Sequence, residues 1–145
     1  MDEFYAALYD FASPEYDEAV ALRTEVLRKP LNLEFTAEQL ALEYEDHHFG
    51  LWGNDGLYAT LILSDKGAGE IKMRQVAVHP QKQGLGLGSR LVKFSEEWAA
   101  AKGYKKMVLH ARETAIKFYL NLGYKTVGDG FFEVGIPHKK MEKDL

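Results

Sequence analysis

Cysteine is absent from the 145 residues, which removes a thiolate nucleophile, a redox pair, a cysteine-based zinc site and any disulfide framework. A cytoplasmic chain is the expectation. Long apolar runs are missing too: none approaches the ~20 residues a membrane-spanning helix needs. The N-terminal MDEFYAALYDFASPEYDEA carries acids where a secretory signal has its basic start, so neither a leader nor an anchor is expected. Positive charge is in short supply, the formal net charge being −4. That counts against nucleic acid as a partner, because such affinity comes largely from clustered Lys and Arg. The small acid surplus is compatible with a cationic substrate and equally with plain solubility.

What remains is 46% hydrophobic and 12% aromatic, the makeup of a packed globule, and the length suits one domain over residues 1–145. EFYAALYDF reads as an edge strand. Ser13-Pro14 opens a helix whose face is Tyr16, Ala19, Val20, Arg23, Val26 and Leu27, running to Pro30. Thr36 and Gln39 form a reciprocal cap for a second helix through about Glu45. HFGLW and LYATLIL are strands joined by a turn at Asn54-Asp55-Gly56, and EIKMRQVAV is a third that stops at His79-Pro80. These three make an antiparallel meander. Leu87, Leu91, Phe94, Trp98 and Ala101 then line one face of a helix ending near Gly103. The strand YKKMVLHA follows, then a short helix TAIKFYLNLGY stopped by Gly123. YKTVG and HKKMEKDL read as the last strands around a loop DGFFEVGIP. The unit from Glu70 to Ala111 places two strands parallel through a right-handed crossover. The whole is an α/β arrangement: a mixed, mostly antiparallel sheet with helices on both faces.

Between the third strand and its helix lies HPQKQGLGLGSRL, with Gly84, Gly86 and Gly88 at alternate positions. A Walker loop, G-x-x-x-x-G-K-S/T, fails because Ser89 and Arg90 follow Gly88 where lysine is required, and G-x-G-x-x-G fails because the third glycine comes one residue early. A tight strand-to-helix turn is the plainest alternative. The physics shared by such loops survives: unobstructed backbone N–H groups at the positive end of a helix suit a pyrophosphate. Lys82 and Arg90 add charge at its rim.

Gln81-Lys82-Gln83-Gly84-Leu85-Gly86 resembles the acetyl-coenzyme A signature R/Q-x-x-G-x-G/A of the GCN5-related N-acetyltransferases. QVAVHP before it and AIKFYLNLGY after it are also similar to that family's text. The resemblance runs from the first helix to the C-terminus. It implies that Val76, Ala77 and Val78 meet the pantetheine arm through their backbone. It also implies that the amides of Gln83, Gly84, Leu85, Gly86, Leu87, Gly88 and Ser89 cradle the pyrophosphate. Tyr119 takes the place of the tyrosine that hands a proton to the departing thiolate. Where the family often has a cofactor-binding asparagine, seven residues before that tyrosine, stands Arg112. A guanidinium there would reach phosphate or adenine-ribose atoms, or be merely solvated.

An attacking ammonium must also lose a proton, and Glu70, His110 and His138 are the candidate bases; His79, in the turn before Pro80, ranks below them. The backbone N–H of Val76 suits the carbonyl oxygen as charge develops. Adjacent His47 and His48 point to opposite strand faces, so no metal is expected. With no cysteine, direct attack in a ternary complex is preferred over an acyl-enzyme. The implied activity is acetyl transfer from acetyl-coenzyme A to an amine, either a small molecule or a protein lysine, with a homodimer compatible. A noncatalytic acyl-coenzyme A sensor and plain nucleotide binding stay open as alternatives.

Overall fold

In a computed structural model describing residues 3–145, seven strands form one sheet in the order β1-β2-β3-β4-β5-β7-β6. They are β1 (Tyr5–Tyr9), β2 (His47–Gly53), β3 (Gly56–Gly67), β4 (Glu70–Val78), β5 (Lys106–Arg112), β6 (Lys125–Glu133) and β7 (Ile136–Asp144). Only β4 and β5 run parallel, joined as expected through the helix α3 (Leu87–Ala101). The other helices are α1 (Pro14–Arg23), α2 (Ala37–Ala41) and α4 (Ile116–Asn121). No described helix is long and apolar enough to cross a membrane.

Two cores sandwich the sheet. Leu87, Leu91 and Val92 of α3 and Tyr119 of α4 pack on Phe49, Leu61, Leu63, Ile71 and Met73. On the opposite face Ala19 and Leu22 of α1 meet Trp52, Leu57 and Ala77. Burial on both faces explains why β2 and β3 read as nearly continuous apolar runs.

The first helix is shorter than its periodicity predicts. Ser13 caps it, its hydroxyl accepting from the Tyr16 N–H at 3.1 Å, but after Arg23 the chain widens into a π turn, Thr24–Arg28, and then a 3₁₀ turn, Lys29–Leu31. Thr24 donates its hydroxyl to the Val20 carbonyl at 2.8 Å, which bends a helix, and Pro30 disfavours helical backbone at the residue before it. Asn32, at φ 57°, closes the segment. The reciprocal cap of α2 forms as expected: Thr36 N–H donates to Gln39 Oε1 at 2.9 Å and Gln39 N–H to Thr36 Oγ1 at 3.1 Å.

A buried ion pair locks α1 to the chain entering β2. Arg23 donates to both carboxylate oxygens of Glu43, at 2.9 and 2.6 Å, and the Tyr16 hydroxyl donates to the same carboxylate at 2.7 Å. His48 Nε2 lies 3.0 Å from the Glu43 carbonyl. Burial alone would raise the Glu43 carboxyl, but the bonds and charge of Arg23, with the Tyr16 bond, outweigh it and hold the carboxyl low.

The segment DGFFEVGIP, expected as a loop, is mostly strand. β6 continues through Glu133 past an irregularity between Val127 and Phe131, and it turns into β7 through Val134 and Gly135, at φ 47° and 78°. Two central residues at positive φ make the tight turn that suits twisted strands. A β-branched residue seldom occupies such a position, which is why Val-Gly hid a hairpin.

The sheet splits where the site lies. β4 pairs with β5 only from Glu70–Lys106 to Met73–Leu109, whereas β5 stays paired with β7 out to Arg112–His138. Beyond Met73, Gln75 takes φ 56° and the register with β3 shifts between Thr60 and Ile62. An extra residue of this kind bends its strand. The result is a fork between the ends of β4 and β5.

Candidate active site

A cavity of about 310 Å³ fills the fork. Gln75 and Val76 form one wall and His110, Ala111 and Arg112 the other; Tyr119, Glu133 and His138 also line it, as do Leu27 and Arg28 of the π turn. His110 and His138, diagonal neighbours across β5 and β7 with His110 opposite Lys140 and His138 opposite Arg112, are brought together with Tyr119. Glu70 is not: it sits at the hairpin end of β4, opposite Lys106, about 20 Å along the strand from Val76 at ~3.3 Å per residue. The expectation of Glu70 as a base is therefore corrected. The β3–β4 hairpin closes that end, and the fork opens at the other.

The cluster's carboxylate is Glu133, at the end of β6 in the segment expected as a loop. Its Oε1 is 3.0 Å from His110 Nδ1 and its Oε2 is 3.6 Å from His138 Nε2. Burial acts to raise the Glu133 carboxyl, but the His110 hydrogen bond and the charges of His110, His138 and Lys72 together hold it below its ordinary value. Lys72 Nζ also approaches His110 Nδ1, at 3.3 Å. One nitrogen cannot donate to Glu133 and accept from Lys72 at once. The shorter, carboxylate contact favours Nδ1–H donating to Glu133, which leaves the lone pair on Nε2. His138 is 4% exposed, and its Nδ1 lies 2.9 Å from the Ile136 carbonyl.

Tyr119 is buried on α4, beside Phe118 and Tyr124. Burial alone pushes its hydroxyl well above the ordinary tyrosine range. Arg112 Nη2 donates to the Leu27 carbonyl at 3.0 Å, which ties the end of β5 to the π turn.

The loop itself adjoins the fork, after the turn Pro80–Lys82. His79 Nδ1 accepts the Gln81 N–H at 3.1 Å, and Gln83 Nε2 donates to the Val78 carbonyl at 3.3 Å. Gly84 and Gly86 take φ 82° and 77°, with nothing within 4 Å of where a Cβ would stand. Gly86 precedes the first turn of α3 and offers no side chain to cap it, so the donors of Leu87, Gly88 and Ser89 are left to other acceptors. Gly88 serves close packing: its Cβ would lie 3.2 Å from Val78 and 3.4 Å from Phe118. Of the strand residues assigned to the pantetheine arm, Val76 lines the fork, Ala77 is buried on the α1 face and Val78 packs on the α3 face. Lys82 and Arg90 stack over Tyr58 and Phe4, at 4.7 and 5.5 Å from the ring centroids. His47 lies against Trp98 and His48 against Tyr16, on opposite faces of the sheet.

Known proteins match this arrangement. YyaT, an uncharacterized protein of Bacillus subtilis, is 34% identical over 74 residues, 51% of this chain and 50% of YyaT; the chain spans about half the length of the curated relatives it matches. The crystal structure of a provisionally named N-acetyltransferase from Lactobacillus plantarum superposes with a TM-score of 0.83 at 25% identity, covering 99% of this chain and 98% of that one. A Bacillus subtilis acetyltransferase solved in complex with coenzyme A shares the fold, with a TM-score of 0.75 at 18% identity and 99% of each chain covered. The acetyltransferase (GNAT) domain family matches residues 12–145, and the chain belongs to that family.

Proposed function

We propose that this protein transfers an acetyl group from acetyl-coenzyme A to an amine by direct attack within a ternary complex. The observation that carries the reading is one cavity, lined by Tyr119, His110 and Glu133, beside a helix start with open glycines and no side-chain cap. The glycine loop fits a pyrophosphate: at Gly84 and Gly86 no side chain obstructs the approach, and the first amides of α3 add the positive end of a helix. The unpaired edge of β4 beyond Met73 fits an extended amide-bearing arm, as a strand edge accepts a partner.

Bound acetyl-coenzyme A supplies the acyl group as a thioester. His110 Nε2 takes the proton of the attacking amine, with Glu133 holding Nδ1–H and stabilising the imidazolium, an orienting role of the kind carboxylates play toward catalytic histidines. The Val76 N–H stabilises charge on the carbonyl oxygen. Tyr119 remains protonated across the working pH range because burial raises its pKa. The same burial makes complete transfer to a thiolate, with a reference pKa of about 8.5, uphill. Its contribution is therefore a hydrogen bond to the departing sulfur. The absence of cysteine supports the direct route and a cytoplasmic location.

Thiol release from acetyl-coenzyme A across a panel of amines tests this, alongside calorimetry with coenzyme A, ATP and NAD. Acceptor-dependent release and preference for coenzyme A are expected. Coenzyme A binding without release on any amine makes the protein an acyl-coenzyme A sensor, and preference for ATP or NAD removes the donor assignment.

A further inference from the structure

The chain as a whole is acidic, yet the cavity is not. Four cationic side chains line it, Arg28, Lys72, Arg74 and Arg112, against the single carboxylate of Glu133. Lys72 lies against the His110–Glu133 pair, and Arg74 is 3.5 Å from Asp46. Arg28 and Arg112 have no carboxylate partner among the described residues. Arg112 spends one nitrogen on the Leu27 carbonyl, at the residue preceding Arg28, and Arg28 is stacked over Phe35 at 4.5 Å. Both are half-buried. Burial, and then the charge of Arg112, hold the Arg28 guanidinium below its ordinary value; burial does the same to Arg112. The charge of Glu133 acts on both in the opposite sense, but Glu133 forms no ion pair with either, and two guanidinium groups this far desolvated on one cavity wall are costly without an anion to pair with them.

We propose that Arg28 and Arg112 form an anion site inside the acceptor cavity, so that the amine acetylated by this protein carries a carboxylate or phosphate of its own. The inference rests on the acetyltransferase reading and narrows its substrate class. Planar guanidinium forks suit either anion bidentately. His110 and Arg112 are two apart on β5, hence on one face with Cα atoms ~6–7 Å apart. An amine at the His110–Glu133 end and an anion at the arginine end therefore describe a short zwitterion, such as an amino acid, rather than an extended polyamine. Four cations would repel a second ammonium group.

Two matched sets of acceptors test the site: γ-aminobutyrate against butylamine, and O-phosphoethanolamine against ethanolamine. Each is assayed for thiol release, and the N-acetyl derivative of each is titrated by calorimetry into protein with and without coenzyme A, so that a readout exists without turnover. The anionic member is expected to win by at least about tenfold in kcat/KM or Kd, the worth of one charge-assisted pair. The set with the larger advantage assigns carboxylate or phosphate. Arg28→Gln and Arg112→Gln should abolish the advantage, Arg112→Lys should keep part of it, and coenzyme A affinity should be unchanged in Arg28→Gln. Equal or tighter binding of the neutral members, no binding of any derivative, or an advantage that survives both glutamine variants overturns the anion site. Failure of coenzyme A to bind overturns the acetyltransferase reading, while the derivatives still report on the arginines.

Discussion

Glu133 was invisible in the sequence because no local pattern marks it: its partners His110 and His138 lie 23 and five residues away, and its strand was hidden by Val134 at positive φ. His110 and His138 stand at the ends of expected strands and Tyr119 stands out through the family resemblance, and all three line one cavity. Glu70 has the same kind of position in the sequence, but it marks the wrong end of its strand. If Glu133 holds His110 in the tautomer with a free Nε2, Glu133→Gln should lower kcat/KM for acetylation by ~10²-fold, the usual scale of general-base catalysis. Coenzyme A affinity should be unchanged in that variant. A full-rate Glu133→Gln enzyme would remove the carboxylate from the reaction. Gly86, also a single-residue matter, combines φ 77° with open space. Gly86→Val should cost about 1–2 kcal/mol of stability from the left-handed backbone. It should also weaken coenzyme A about tenfold or more, since one lost charge-assisted hydrogen bond is worth ~1.5 kcal/mol. Calorimetry and thermal melting read the two effects separately.

Element by element, regular segments announced themselves and irregular ones did not. The caps at Ser13 and Thr36, the Asn54-Asp55-Gly56 turn and the β4–α3–β5 crossover follow from local chemistry and appear as read. The π turn after Arg23, set by the Thr24 hydroxyl and Pro30, and the irregularity at Gln75 leave no periodic mark in the sequence, and both segments line the cavity. Arg23 has a polar signature but a core role, since its partner Glu43 is far in sequence. Glu43→Gln would leave the Arg23 charge buried without its counter-ion and should cost about 3–5 kcal/mol, measured by urea unfolding. The pH dependence has a definite sign. Because the folded Glu43 carboxyl is held low, its contribution is complete above the unfolded value of about 4.3 and is lost as pH falls through the folded value. The difference in stability between wild type and Glu43→Gln should therefore shrink on acidification below about pH 4. A difference that stays constant there would contradict the ion pair's part in stability.

Across the molecule, the β2–β3–β4 meander and the parallel β4–β5 pair were legible from hydrophobic patterning and the right-handed crossover, whereas the place of β7 between β5 and β6 was not. Charge was not. A net −4 gave no sign that the cavity at the fork gathers four cations around one carboxylate, because average charge says nothing of which side chains converge. In the proposed reading the loop before α3 would face the donor, while the π turn, the β5 end and the β6–β7 hairpin, which line the cavity, would enclose the acceptor. The central claim is direct transfer between two bound substrates. Initial rates of thiol release with acetyl-coenzyme A and an accepted amine varied together test it most directly. The account predicts intersecting double-reciprocal lines and no acetylated protein by mass spectrometry when acetyl-coenzyme A is added alone. Parallel lines, with a stable acetyl group on the protein that the amine then removes, would contradict it.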